Sequence, residues 1–332
     1  MNDRSVILLT FDVEDWFQVE NFRQCIPFYS WPACELRIEN NLHTILDLLD
    51  SIKLNNPSNP SNPQHRPTSP SLCAMRSAPC GTLKATFFVI GWLAERLPHL
   101  VLEIQKRGHE IASHGYFHKL CSEQSPDDLR MDLIKTKELL EDMTGTAVYG
   151  YRAPSFSISD DAIDIIIETG HLYDSSFNSF HLNKRYGRIN LNGSNGNGIL
   201  HQITDSFYEL PISNLNIANR MIPWGGGGYF RLIPSKLFGQ GVLSILKKQG
   251  AYLFYMHPWE VDPEQPRVSN IPIASKFRHY INLNKTFSKL SYFLHSFKNC
   301  RFLTCHQYLS KITHLRSGDA VNHRKTDQKL CR

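Results

Sequence analysis

No stretch of this chain approaches the roughly twenty consecutive apolar residues that a bilayer-spanning helix needs. Its first apolar run, Ser5-Val6-Ile7-Leu8-Leu9-Thr10-Phe11, is far shorter. Acidic residues follow that run at once and no small-residue cleavage site comes after it, so it does not read as a secretion signal. The expectation is a soluble, cytoplasmic chain without a transmembrane segment. The eight cysteines (25, 34, 73, 80, 121, 300, 305 and 331) include no Cys-x-x-Cys pair. Free thiols are then the simplest expectation, with Cys73 and Cys80 on one shared loop as the pair that oxidation would join. Charge bias is weak as well: 36 Lys and Arg against 31 Asp and Glu leave a formal +5. Part of that excess crowds the end of the chain, so residues 311–332 read as a disordered basic tail. Basic and aromatic residues do not interleave as a nucleic-acid surface requires, and no nucleic-acid partner is expected.

Two familiar motifs are also missing. Gly225-Gly226-Gly227-Gly228 is no dinucleotide fingerprint, since no strand is expected to feed it and no helix with an acidic partner to follow. It reads instead as backbone passing close to something bulky. His109-Glu110 does not open a zincin helix either, because Ser113 stands where the second histidine would fall.

What is present is enough chain, 332 residues at 41% hydrophobic, for one large domain or two modest ones. Buried strands are expected at 5–11, 84–90, 148–151, 207–212, 251–256 and 301–304, with strand ends at 111–114 and 172–175. Amphipathic periodicity predicts helices over about 36–53, 92–107, 126–143, 160–168, 235–248 and 276–296. Ser125-Pro126-Asp127-Asp128 combines a cap, a proline at the first helical position and acids in the first turn. Residues 55–82, rich in Pro, Ser and Asn, cannot bury apolar area and read as a mobile surface insertion rather than a domain boundary. Residues 178–206 read as Asn- and Gly-rich loop. Strand alternating with helix argues for a mainly parallel sheet covered by helices, an α/β fold.

The most chemically loaded stretch is His109-Glu110-Ile111-Ala112-Ser113-His114-Gly115-Tyr116-Phe117-His118. Gly115 permits a sharp turn after the strand, placing His114 at the strand end and His118 just beyond. Two imidazoles four residues apart reach one divalent cation. Asp12, His114, Arg152, Asp174 and His257 all fall at the C-terminal ends of predicted strands, where parallel α/β folds build their active sites.

Those clusters, in that order, resemble the polysaccharide deacetylase family (carbohydrate esterase family 4, the NodB-homology fold). Thr10-Phe11-Asp12, His114-Gly115-Tyr116-Phe117-His118, Arg152-Ala153-Pro154 and the strand Tyr252-to-Met256 ending in His257 carry the resemblance, over roughly residues 5–310. Asp12-Val13-Glu14-Asp15-Trp16, Gly226-Gly227-Gly228-Tyr229-Phe230-Arg231 and His257-Pro258-Trp259-Glu260 look like a branch that accompanies bacterial exopolysaccharide and exosortase-linked loci. The resemblance implies a distorted (β/α)7 barrel spanning 1–310 as a single domain, with a family-specific C-terminal extension from about 225. It implies a divalent metal, usually zinc, on His114, His118 and one carboxylate. Asp12 would be the general base, oriented by Arg152, and His257 the acid. Asp174 would either fix the tautomer of His257 or merely cap a turn. A backbone N–H, that of Ser155, would help hold the oxyanion.

Val13 stands where the family's first motif usually has a second aspartate. The metal carboxylate is then Glu14 or Asp15, with Glu14 favoured because it shares a side of the strand end with Asp12. Ser155 replaces a frequent aromatic, leaving Phe156 or Trp224 as the sugar-stacking wall. Glu260 receives no role. The implied reaction removes N-acetyl groups from an amino-sugar glycan, an exopolysaccharide or its lipid-linked precursor, with peripheral association to a membrane glycan-assembly system compatible with it. An allantoinase-like hydrolase of small cyclic amides and an inactive glycan-binding scaffold are the rival readings.

Overall fold

The structure is a computed structural model, and it describes residues 5–54, 82–180, 185–191, 195–218 and 220–313. Nearly all of the Pro/Ser/Asn-rich insertion, with Cys73 and Cys80, and the tail beyond residue 313 lie outside the described residues. The first half runs β1 (Val6–Val13), α1 (Ile38–Ser51), β2 (Ala85–Val89), α2 (Gly91–Arg96), α3 (Pro98–Lys106) and β3 (Glu110–Ser113). It continues through α4 (Pro126–Thr144), β4 (Gly150–Tyr151), α5 (Asp160–Glu168) and β5 (Tyr173–Asp174). The second half adds β6 (Asn195–Asn197), β7 (Leu200–Gln202), β8 (Tyr208–Glu209), β9 (Asn214–Ile217) and β10 (Arg220–Pro223). It closes with α6 (Gly227–Leu232), α7 (Ser235–Gln249), β11 (Ala251–Met256), α8 (Ile273–Tyr280), α9 (Leu283–Ser296) and β12 (Arg301–Phe302).

Every residue of β1 is buried, because the strand has covered faces on both sides. Ile7, Leu9, Phe11 and Val13 pack outward with the helices, whereas Val6 and Leu8 join Phe88, Tyr173, Leu253 and Tyr255 in the interior. Asp12 lies on the interior side by the same two-residue alternation. The sheet order is β11-β1-β2-β3-β4-β5-β8-β7-β6, and β1 through β8 pair in parallel while β6 and β7 add an antiparallel ribbon. β12 pairs with Val6 and Ile7, below the start of β2 on the same edge of β1.

Seven parallel strands therefore curl into a distorted barrel, with no closing strand ladder among the described residues. The gap between β8 and β11 is bridged otherwise. Leu253 N donates to Ser213 Oγ at 2.9 Å, and Tyr255 N donates to Gly225 O at 2.7 Å. The glycine run sits at this seam. At φ +136°, Gly226 adopts a conformation that side chains avoid, and a Cβ there would overlap the Tyr255 carbonyl. The bulky neighbour expected from the sequence is thus Tyr255. A strand, β10, does precede the run and α6 follows it, contrary to expectation, but without an acidic partner the run still makes no nucleotide loop.

Two predicted helices are broken in two. Leu97 leaves helical geometry so that Pro98 can open α3, and Asn282 in the left-handed region separates α8 from α9. The ribbon β6–β7 and the β9–β10 hairpin were hidden in stretches too short and polar to show period-two patterning. Ser125 caps α4 as expected, its Oγ accepting from Asp128 N at 3.2 Å. Cys25, Cys34, Cys121, Cys300 and Cys305 are free thiols. No described helix is long and apolar enough to cross a membrane.

Candidate active site

The strand ends deliver the site. Glu14 follows β1, His114 and His118 follow β3, and the three side chains offer ligand atoms all within 4.8 Å of one another. The loop from His114 to His118 is shaped by Gly115 at φ +71° and braced by Asp132 of α4. The Asp132 carboxylate accepts from Tyr116 N at 3.0 Å and Phe117 N at 3.2 Å. His118 itself is held at φ +51°, an uncommon conformation for a non-glycine residue.

His114 Nδ1 donates to the Arg152 carbonyl at 2.7 Å, which fixes the ring and turns Nε2 toward Glu14 Oε1 at 3.2 Å. His118 Nε2 lies 3.0 Å from the same oxygen. It lacks the alignment of a hydrogen bond, so this buried nitrogen has no hydrogen-bond partner among the described residues. An orphaned ring nitrogen, a second imidazole with its ring fixed and a buried carboxylate fit a divalent cation, with room for further ligands on the cleft side. Burial works to raise the Glu14 carboxyl pKa, but the neighbouring His118 and His257 and the hydrogen bond from His114 hold it well below the usual range.

Asp12 faces the same space and is 2% exposed. Arg152, wholly buried, donates from Nη1 to Asp12 Oδ1 at 2.6 Å and to Thr10 Oγ1 at 2.8 Å. Its other nitrogens donate to the carbonyl and hydroxyl oxygens of Ser175, each at 2.9 Å, and its guanidinium lies over the Phe88 ring. Four of its five N–H groups are engaged in this way, and Arg152 holds the Asp12 carboxylate in place. The other Asp12 oxygen points to His257 Nε2, 3.9 Å away, and Glu14 Oε1 is 3.6 Å from the same nitrogen.

His257 is oriented by a residue to which the sequence reading gave no role. Its Nδ1 donates to Glu260 Oε1 at 2.9 Å, and its backbone N–H donates to the same oxygen at 3.0 Å. Arg231 Nε donates to Glu260 Oε2 at 2.7 Å, while the rest of that guanidinium binds the carbonyls of Arg278, His279 and Ile281. Burial alone would lower the His257 pKa, but Glu14, Glu260 and Asp12 raise it to about 9. The ring of Trp259 stacks on His257 at 5.3 Å and on His279 at 4.2 Å, completing the support. A signal for this arrangement was available, since the Gly-rich motif ends in Arg231 and the His257 motif ends in Glu260.

Three expected site residues belong elsewhere. Asp15 points away from the cation site: its carboxylate accepts from the backbone N–H groups of Arg37 (2.7 Å), Ile38 (3.0 Å) and Trp16 (2.8 Å). It caps α1 from a distance, and burial pushes its pKa up to about 6. Asp174 does not approach His257. Its oxygens accept from Ser176 N at 3.0 Å and Ser176 Oγ at 2.6 Å, the turn-capping alternative, with Glu209 beside it. Trp224 is buried, donates from Nε1 to Phe238 O at 2.9 Å and stacks on the Phe238 ring, so it is core rather than a sugar platform.

Ser155 and Phe156 do line the cleft, both in left-handed backbone at φ +51° and +59°. Two such residues in succession store backbone strain, which concentrates at functional sites. Phe156 packs edge-on against Tyr186 and Tyr255, and Phe180 and Tyr229 meet across the cleft at 6.1 Å. The cleft holds about 590 Å³ and opens between these aromatics and α8.

Residues 81–173 match the family model "Polysaccharide deacetylase", and residues 175–310 match "Domain of unknown function (DUF3473)". Over 93 residues the chain is 38% identical to a peptidoglycan deacetylase-like protein of Gibberella zeae, covering 28% of each. Over 72 residues it is 39% identical to a peptidoglycan-N-acetylglucosamine deacetylase of Bacillus cereus, covering 22% of this chain and 26% of that one. The chain thus spans about a quarter of the length of these curated relatives. A crystal structure from Mycobacterium smegmatis, described as a polysaccharide deacetylase, superposes with a TM-score of 0.55 at 18% identity, covering 96% of this chain and 93% of that one.

The class is read from the segment that matches: residues 81–173 carry the polysaccharide deacetylase signature, set in the fold and beside the strand-end site described above. That match runs directly on into the DUF3473 segment, which supplies Arg231, His257 and Glu260.

Proposed function

We propose that the protein is a metal-dependent hydrolase that removes N-acetyl groups from an amino-sugar glycan, an exopolysaccharide or its lipid-linked precursor, inside the cell. The relatives' printed names support the reaction. The observation that carries it here is the joint placement of Asp12, held by Arg152, and His257, held by Glu260, around the Glu14–His114–His118 cluster. A divalent cation, zinc by the nitrogen-rich donor set, would be held by those three residues and would supply Lewis-acid polarisation of an amide carbonyl and acidification of water. Asp12 accepts the proton of the attacking water, and Arg152 holds that carboxylate in position to do so. His257 Nε2 gives a proton to the departing amine as the carbon–nitrogen bond breaks, while Glu260 stabilises the imidazolium. The Ser155 N–H contributes to oxyanion binding, and Phe156 walls the sugar site. An open cleft of about 590 Å³ with aromatic sides suits a glycan better than a small cyclic amide.

The test is acetate release from a panel of N-acetylated oligosaccharides, with and without chelator. Asp12→Asn is expected to lower kcat by about 10²–10⁴-fold with metal content intact, and His114→Ala to lose the metal itself. Normal turnover by either variant would end the assignment.

A further inference from the structure

The chain's charge is unevenly spread in a way its formal +5 conceals. Between residues 210 and 313 there are 13 Lys and Arg against 3 Asp and Glu. Two of those acids are spoken for: Glu260 binds Arg231 and His257, and Asp262 binds Arg37. The same segment carries most of the large exposed apolar side chains among the described residues; three of them line the cleft, and a fourth stands one helical turn from the third. Tyr229 and Leu232 come from α6, and Ile273 and Phe277 from one face of α8, one turn apart. Ile273 is 85% exposed and Phe277 56%, whereas on the opposite side His279 is buried. Helix α8 has no acidic residue, and its apolar face is flanked by Lys276 and Arg278. A monomer surface gains nothing from holding an isoleucine and a phenylalanine in water, and such patches mark interaction sites. Apolar side chains projecting from a helix edged with lysine and arginine match an anionic lipid surface, which takes up both chemistries together.

We propose that α6 and α8 form a docking face for the surface of an anionic bilayer, with Ile273 and Phe277 entering the headgroup region and the basic residues of the C-terminal segment facing lipid phosphates. Because Tyr229, Leu232 and Phe277 also line the cleft, docking would set the cleft mouth against the membrane, where a glycan on a lipid carrier would present its sugars. That last link rests on the deacetylase reading; the docking itself does not.

The test is co-sedimentation of the full chain with vesicles of phosphatidylcholine alone or with 30% phosphatidylglycerol added (roughly the range in which basic segments respond). Binding to the anionic vesicles, weakened at 0.5 M salt by about tenfold or more, is expected. Ile273→Asp combined with Lys276→Glu, neither of which lines the cleft, is expected to weaken binding by at least about tenfold while acetate release from a soluble oligosaccharide is unchanged. Equal binding to neutral and anionic vesicles, no binding, or no effect of the double variant would overturn the proposal. So would a wild-type dimer that the double variant dissociates, since a second copy would then be the occupant. Loss of acetate release with vesicle binding intact would strike the deacetylase reading and leave the docking face standing.

Discussion

His257 is fixed at its Nδ1 by Glu260, which is fixed in turn by an arginine with four hydrogen bonds, so its Nε2 has one orientation open to it. Glu260→Gln keeps the size but replaces a charged acceptor with an amide that accepts more weakly. The expected result is a fall in kcat of about 10²-fold with KM little changed, because the lost support acts as the proton leaves; steady-state kinetics on an N-acetylated oligosaccharide checks it. Some of this was legible in the sequence and some was not. Asp12, Glu14, His114 and His118 were readable as a converging set because strand ends point their polar residues into one space. Glu14 separates from Asp15 by the alternation of the strand alone. Asp174 and Glu260 were not separable that way, since each depends on local turn geometry: Asp174 is satisfied by Ser176 two residues on, and Glu260 reaches back to His257 through one turn of 3-10 helix. Trp224 was misplaced because proximity to a motif in sequence says nothing about which way an indole turns.

Elements, in their turn, are tied together by residues that local patterns do not reveal. Helix α1 has no side-chain cap of its own at Arg37 and takes Asp15, far back in the chain, instead. Asp15→Ala strands the first N–H groups of that helix and is expected to cost about 1–2 kcal/mol in denaturant unfolding while metal content stays at the wild-type level. Glu14→Gln, one residue away, is expected to do the reverse: loss of bound metal with a small effect on the unfolding of the metal-free protein. At the seam, Gly226→Ala forces a Cβ into the Tyr255 carbonyl at a backbone angle that alanine avoids. More than about 3 kcal/mol of destabilisation is expected, read from the same melts. The glycine run announced a close approach, but not that it would stand in for a missing strand ladder. The helix interruptions at Leu97 and Asn282 were obscured because the apolar period continues across each.

For the whole molecule, the acid limb of stability should be governed by histidines rather than by the ion pairs on the surface. Burial lowers the imidazole pKa of both His109 and His171 from 6.5 to about 3. Neither ring nitrogen of His109 has a hydrogen-bond partner among the described residues. Both side chains are therefore folded neutral. Their contribution is complete above about pH 6.5 and drains away as pH falls from there toward 3, where the unfolded chain takes up protons that the folded one refuses. Asp15 works the other way, since its raised pKa favours the folded state below about 3.8 and ceases to do so as pH rises through 6. These imidazoles, with the likewise depressed His279, pull Tm down between pH 6.5 and 4, while Asp15 and the other buried carboxyls raised by burial, Asp132, Asp174 and Glu209, offset part of that fall. His109→Leu should flatten that slope in thermal melts across the range.

β1 runs between strands from opposite ends of the chain, and Thr10 donates to the carbonyl of Phe254 across 244 positions. On the ribosome β11 follows this strand by roughly 12–50 s at about 5–20 residues per second. During that interval a mostly apolar edge, with Asp12 and Glu14 at its tip, lacks this partner. It invites chaperones and neighbouring nascent chains alike. Expression yield, more than melting temperature, is therefore where slowed translation or a scarcity of holdases would first be felt.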